Sequence, residues 1–323
     1  MTVFLAKNRL ILLAWAGMLV LLLVTALFSP GFLSASNLRS VLVLAAFTGI
    51  VALGQTFVII GGGIDLSVPW VLNCAAILMT LLCGGQNLPL LWVAPLMLAG
   101  GAAIGLVNGT GVAVFGVPPI IMTLAANVIL QGLILVQTGG SPTPAAPPLI
   151  RFLSVGRLGP VPVIVLIWAA LALVATVLLS RAAFGRHLYA LGSSPTVASF
   201  SGVPVARTTI LTYVISGMMA ALAGMLLTGY SGQAYLGMGD SYLFTSIAAV
   251  AIGGASILGG SGHYIGTVAG ALVLTILSGL LPALNLSSGA LLVVYGAVIL
   301  LTVSIGSERL AGLSRLAFGR RNP

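Results

Sequence analysis

The chain alternates long apolar runs with short polar or glycine-rich breaks. Ten runs approach the roughly 20 residues that a helix needs to cross a bilayer. They centre on residues 10–28, 40–60, 65–83, 89–108, 118–138, 160–180, 207–230, 243–260, 264–282 and 288–305, with Gly, Pro and polar clusters as the punctuation. Glycine or proline interrupts the third, fourth, eighth and ninth runs, so eight or nine spans with re-entrant pieces also fit. The expected fold is all-α: a polytopic transmembrane helical bundle of about 10 spans (8–10), forming one domain over residues 1–323.

Composition strengthens this picture. Hydrophobic residues make up 59% and charged residues 5%, against roughly 25% charged in soluble domains. Such a chain cannot cover a water-facing surface. Its 42 glycines suit closely packed spans, because small residues let helix backbones approach in lipid. Lys7 and Arg9 precede an apolar run longer than a signal-peptide core, and FSPGF follows where a cleavage site would lie, so an uncleaved first span is expected.

The net charge of +9 reads as topology rather than nucleic-acid binding. With both termini inside, ten spans place Lys7, Arg9, Arg181, Arg186, Arg207, Arg309, Arg315, Arg320 and Arg321 in the cytoplasm and Arg39, Arg151 and Arg157 outside. Positively charged residues favour cytoplasmic loops, which matches this orientation. Arg151 and Arg157 fall in the longest outer loop, which begins GGSPTPAAPP; its prolines predict a stiff, extended start. That loop serves equally well as a plain connector or as a docking surface. GGAAIGLVNG (100–109) faintly echoes AGALVLTILSG (269–279), a weak sign of the inverted repeats found in transporters.

Several chemistries lack their residues. Lys7 is the only lysine and sits in AKNR, so no GxxxxGK[ST] phosphate loop can form. The acids are Asp65, Asp240 and Glu308, far apart in sequence, and His187 and His263 are isolated; a paired-carboxylate mechanism has little support. Cys74 and Cys83 have no metal-ligand spacing. Intramembrane charge pairs for proton coupling are nearly missing. No catalytic residue, metal or cofactor is expected in this chain, and uphill transport would draw its energy from a partner.

One segment breaks the apolar pattern: AFGRHLYALGSSPTVASFSGVPVAR, residues 183–207. Ser194 suits an N-cap, Pro195 a first helical position, and Gly202 the left-handed residue just past a helix end. These predict a helix of about seven residues, too short to persist alone in water and shaped to enter a partner's groove.

GRHLYALGSSPTVASFSGVPV resembles the cytoplasmic loop of bacterial ABC importer permeases of the ribose and simple-sugar type, approximately GRxxYAxGxNxxAAxxSGI. Three further blocks agree in order: ALGQTFVIIGGGIDLSVPWVL (52–72), GLVNGTGVAVFGVPPIIMTL (105–124) with the following GLILVQTGGSP, and AAVAIGGASILGGSGHYIGTVAGAL (248–272). The resemblance spans about 40–305. It implies a permease domain in the cell inner membrane that moves a monosaccharide or polyol inward, with a coupling loop over 181–206. It also implies partners: an ABC ATPase holding ATP and Mg, a periplasmic or lipid-anchored solute-binding protein, and a second permease, identical or a paralogue. Lipid surrounds the bundle, and no nucleic acid is involved. The sequence departs from the pattern at SSPTVA, Pro69 and Ile120, and in the stretch 230–244.

The resemblance assigns ATPase coupling to Gly185, Arg186, Tyr189, Gly192, Ser194, Pro195, Ala198, Ser201 and Gly202. Within the spans, Gln55, Asn73, Asn108, Thr123, Asn127 and Gln131 could line a sugar route, since amides both donate and accept; interhelical hydrogen bonding uses the same residue types. Asp65 and Ser67 follow Gly61, Gly62 and Gly63, so they suit either a helix cap beyond a tight break or a substrate contact. Other cargoes (a branched-chain amino acid, a nucleoside, an autoinducer-type sugar derivative) keep the mechanism. A self-powered secondary transporter or a structural membrane protein would change it.

Overall fold

The computed structural model describes residues 9–29, 31–140, 144–283, 289–290 and 292–300. Lys7, Glu308, Arg309, Arg315, Arg320 and Arg321 lie outside the described residues, as do positions 141–143 of the proline-rich loop and the end of the tenth apolar run. In chain order the helices are α1 (Arg9–Phe28), α2 (Ala35–Ile60), α3 (Val68–Cys83), α4 (Leu90–Ala113), α5 (Pro119–Thr138) and α6 (Pro148–Val155). A small hairpin follows, β1 (Arg157–Leu158) with β2 (Val161–Pro162). Then come α7 (Val163–Ser180), α8 (Ala183–Ser193), α9 (Pro195–Phe200), α10 (Val205–Ser231), α11 (Tyr242–Ile252) and α12 (Tyr264–Ala283).

By length and composition, α1, α2, α4, α5, α7 and α10 can each cross a membrane, while α3, α11 and α12 are shorter apolar helices. All of them occupy apolar runs predicted from sequence. The eighth run differs, because helix stops at Ile252 and residues 253–263 form a loop. Gly254, Gly259, Gly260 and Gly262 take positive φ there, a conformation that side chains with a Cβ resist. The proline-rich loop after α5 also holds more structure than its prolines suggest. Pro148 opens α6, where its missing N–H costs nothing.

Helix α2 is the axis of the bundle. Every residue from Ala45 to Ile60 is buried, with α10, α12, α11 and α7 packed against this helix. The α4–α10 crossing is the most intimate, and glycines make it so. Gly101, Gly105 and Gly109 recur every fourth residue and meet the α10 backbone at Gly217, Tyr213 and Ile210. A methyl at Gly109 would lie 2.7 Å from Ile210 Cα. On the opposite side, the Tyr264 hydroxyl donates to the Gly49 carbonyl (2.7 Å) and accepts from Trp168 Nε1 (2.8 Å), joining α12, α2 and α7. Gly270, in the second echoed segment, instead packs on the Ala249 backbone of α11. The two echoed segments therefore serve separate crossings.

Candidate functional site

Two features interrupt this regular packing. The first is the break between α2 and α3. Helix α2 ends at Gly61, and Gly62 follows with φ +86°. The chain then runs irregularly to Ser67 and brings Asp65 into the interior, 1% exposed. A buried carboxylate needs partners, and Asp65 has hydroxyl and amide donors. Its Oδ1 accepts from Ser67 N (3.0 Å) and Ser67 Oγ (2.6 Å), and its Oδ2 accepts from Ser216 Oγ on α10 (2.7 Å). Asn108 Nδ2 on α4 donates to Ser67 Oγ (2.9 Å), and Thr123 Oγ1 on α5 accepts from Leu66 N (3.0 Å). The seven residues 61–67 between α2 and α3 are thus tied to α4, α5 and α10.

Of the polar residues singled out from sequence, Asp65, Asn108 and Thr123 converge here. Gln55 lies further back on α2, fully buried, and neither of its amide atoms has a hydrogen-bond partner. Asn73 is held on α3 through Nδ2 to the Pro69 carbonyl (3.1 Å), leaving its Oδ1 unpartnered. The Oδ1 atoms of Asn108 and Asn127 and the hydroxyl of Tyr213 are likewise buried without partners. Asn127 follows Thr123 by one helical turn, while Gln131, a further turn on, is exposed. Ser67 precedes α3 but makes no side-chain capping bond; its hydroxyl serves Asp65 instead. Sequence reading missed Ser216 and Tyr213, because neither stands out in an ordinary apolar helix.

The second feature is the polar segment after α7. It holds two helices where the sequence indicated one. Helix α8 is amphipathic: Leu188 and Leu191 pack with Phe57 and Ile60 of α2 and with Leu179 of α7, and Phe184 stacks on Phe57 at 5.9 Å between ring centroids. The Tyr189 hydroxyl donates to the Gly262 carbonyl (2.8 Å), and burial raises its pKa. The short α9 starts as its residues dictate. Ser194 Oγ accepts from Val197 N (3.3 Å), Pro195 occupies the first turn, and Gly202 follows the end with φ +78°. A serine cap of this kind contributes about 1 kcal/mol.

The α9 geometry divides the proposed coupling residues. Gly185 and Ala198 are buried, with Ala198 only 2% exposed. Tyr189, Gly192 and Ser194 are half-buried, while Arg186, Pro195, Ser201 and Gly202 are exposed. Ala198 therefore seats α9 on its own protein. The outward face carries Val197 at 62% and Phe200 at 88% exposure, two residues that the motif comparison passed over. Helical phase alone could have found them, since 197 and 200 lie one turn apart and away from 198.

A long-helix bundle with an irregular, polar break beside its axis defines a polytopic membrane protein of the carrier type. This chain belongs to the family described as branched-chain amino acid transport system / permease component, whose model matches residues 37–303. It is 36% identical over 300 residues to the ribose import permease protein RbsC of Bacillus subtilis (strain 168), covering 91% of this chain and 92% of that protein. The ribose import permease protein RbsC of Escherichia coli (strain K12) is 35% identical, with coverage of 91% and 92%. The galactose/methyl galactoside import permease protein MglC of Haemophilus influenzae (strain ATCC 51907 / DSM 11121 / KW20 / Rd) is 32% identical, with coverage of 91% and 93%. No solved structure matches the chain.

Proposed function

We propose that this chain is the permease of an ATP-driven importer in the cytoplasmic membrane that moves a monosaccharide or related polyol inward. The chain forms a single permease domain of about ten spans over residues 1–323, with both termini in the cytoplasm and the coupling loop at 181–206. An ATPase subunit supplies ATP and Mg, an exported binding protein delivers the solute, and a second permease completes the pathway. This chain itself performs no catalysis.

The observation that carries the cargo reading is the set of buried, unpartnered amide atoms on Gln55, Asn73, Asn108 and Asn127. Buried polar groups without partners are costly, and a neutral solute rich in hydroxyls can satisfy donors and acceptors alike. A zwitterionic amino acid would instead need charged groups or helix-terminus dipoles at both of its ends. The one carboxylate among the candidate pathway residues, Asp65, is already occupied by Ser67 and Ser216. The sugar names of the relatives RbsC and MglC point the same way. Comparing uptake of labelled ribose and leucine by the assembled transporter tests the cargo: leucine uptake without sugar uptake would refute it. Alanine at Gln55 and Asn127 is expected to lower sugar uptake; unchanged uptake removes both residues from the pathway.

The docking reading is supported by the exposed Val197 and Phe200 of α9. An aromatic ring this exposed on a six-residue helix suits a partner's pocket. Phe200→Ala leaves the chain's own packing intact. The loss of such an anchor costs about 2 kcal/mol or more, roughly thirtyfold in ATPase affinity. Titration of purified ATPase against the solubilised permease measures this directly, and equal affinity for both forms would refute the assignment.

A further inference from the structure

The end of α8, the break after α2 and the loop 253–263 meet at one point, backbone against backbone. A methyl on Gly192 would overlap the Ile60 carbonyl oxygen. That same oxygen accepts from Gly260 N (2.9 Å). A methyl on Gly259 would lie 2.8 Å from Gly192 O and 2.9 Å from Gly62 Cα, and one on Gly260 would lie 2.7 Å from Ser193 Oγ. Gly62, Gly259 and Gly260 all hold positive φ. The Tyr189 hydroxyl closes the junction by donating to the Gly262 carbonyl.

Side chains in contact can absorb a displacement by changing rotamer. Backbones in contact cannot, and a close-packed interior passes the displacement on. Beyond the junction the route is short. Gly63 N donates to the Val58 carbonyl (2.9 Å), and a methyl on Gly63 would meet the Tyr213 hydroxyl at 2.5 Å. Two residues later Asp65 binds Ser67 and Ser216, and through Ser67 it reaches Asn108.

We propose that Gly192 is the positioning residue that carries movement of α8 and α9 through Ile60, Gly62 and Gly259–Gly260 to the Asp65 cluster, where it re-aims α3, α4 and α10. Tyr189 holds the 259–262 backbone in register for this. The inference rests on the reading of α9 as the ATPase docking element. Spatial continuity alone does not establish coupling between sites, so the response at each end must be measured separately.

Hydrogen exchange on the permease bound to the ATPase that co-purifies with it, nucleotide-free and trapped with ATP and vanadate, provides that measurement. In the parent, trapping is expected to change exchange both at 195–200 and at 61–67. In Gly192→Ala, the change at 195–200 persists and the change at 61–67 falls at least about tenfold. A response at 61–67 that survives in Gly192→Ala overturns the proposal. So does a parent in which 195–200 responds and 61–67 does not, or in which 61–67 responds without 195–200. If neither segment responds, the docking reading fails, and this inference with it. If Gly192→Ala does not fold, Tyr189→Phe replaces it: the response at 61–67 should drop about threefold, and an unchanged response overturns the proposal.

Discussion

Replacing Asp65 by leucine should cost far more than replacing it by asparagine, because the cluster runs on hydrogen bonds rather than on charge. Leucine removes the acceptor of three bonds, leaving Ser67 N, Ser67 Oγ and Ser216 Oγ without their partner in the interior. Each unsatisfied buried donor costs about 1–3 kcal/mol, so the loss should exceed roughly 3 kcal/mol even at the lower bound. Asparagine keeps one carbonyl-type oxygen for the two Ser67 bonds. It turns an NH2 toward Ser216, whose hydroxyl can rotate to accept, and the cost should stay within about 1 kcal/mol. At about 2.1 cal/mol/K of unfolding entropy per residue, 1 kcal/mol in a chain of 323 residues corresponds to about 1.5 °C in Tm. Thermal unfolding of the detergent-solubilised protein, followed by tryptophan fluorescence, should therefore show Asp65→Leu lower by about 4 °C or more and Asp65→Asn within about 2 °C of the parent. Equal destabilisation by the two variants would refute the reasoning and indicate that the negative charge itself is required.

Further outcomes follow from the packing. Gly100 and Gly101 are neighbours, yet a methyl at Gly100 meets nothing within 4 Å, whereas one at Gly101 overlaps the Gly217 carbonyl and lies 2.8 Å from Ala221 Cβ. Gly100→Ala should be neutral or stabilising by up to about 1 kcal/mol, and Gly101→Ala destabilising by about 1–3 kcal/mol, read in the same melt. Tyr264→Phe leaves the buried Trp168 Nε1 without its acceptor and should cost about 1–3 kcal/mol; an unchanged melting temperature would show that water satisfies this group. His263 Nδ1 accepts from Ile265 N (3.2 Å) at the start of α12, and burial holds the imidazole below its ordinary 6.5. The unfolded chain therefore takes up the proton first, so stability is full above about pH 6.5 and falls as pH drops through the lower folded value. His263→Asn keeps an acceptor without titrating, so it should flatten that part of the pH–stability profile.

The legible part of this molecule is the part written in local patterns. Apolar runs located the long helices, because a bilayer allows little besides helix within it. Ser194, Pro195 and Gly202 located α9, because capping is a contact between neighbours in sequence. Helix α8 was less visible: AFGRHLYALGS carries an arginine, a histidine and two glycines, and it is held by Leu188 and Leu191 against residues more than a hundred positions earlier. The site divides in the same way. GGGID announced a break, but its partner Ser216 lies 151 positions away, and no local pattern distinguishes that serine from any other polar residue in a span.

By itself, the sequence determined that this is an all-α membrane protein, where its long helices run, where its central polar segment turns, and which family blocks it carries. Period, length and capping are properties of neighbouring residues, and a chain states them directly. Only the tertiary structure decided that Ala198 faces inward while Val197 and Phe200 face out, that Gly101 is a crossing point and Gly100 is not, and that Gly192 touches the Ile60 backbone. Those facts depend on which surfaces meet after the helices pack. A glycine reads the same in sequence whether its missing side chain leaves open space or makes room for another backbone.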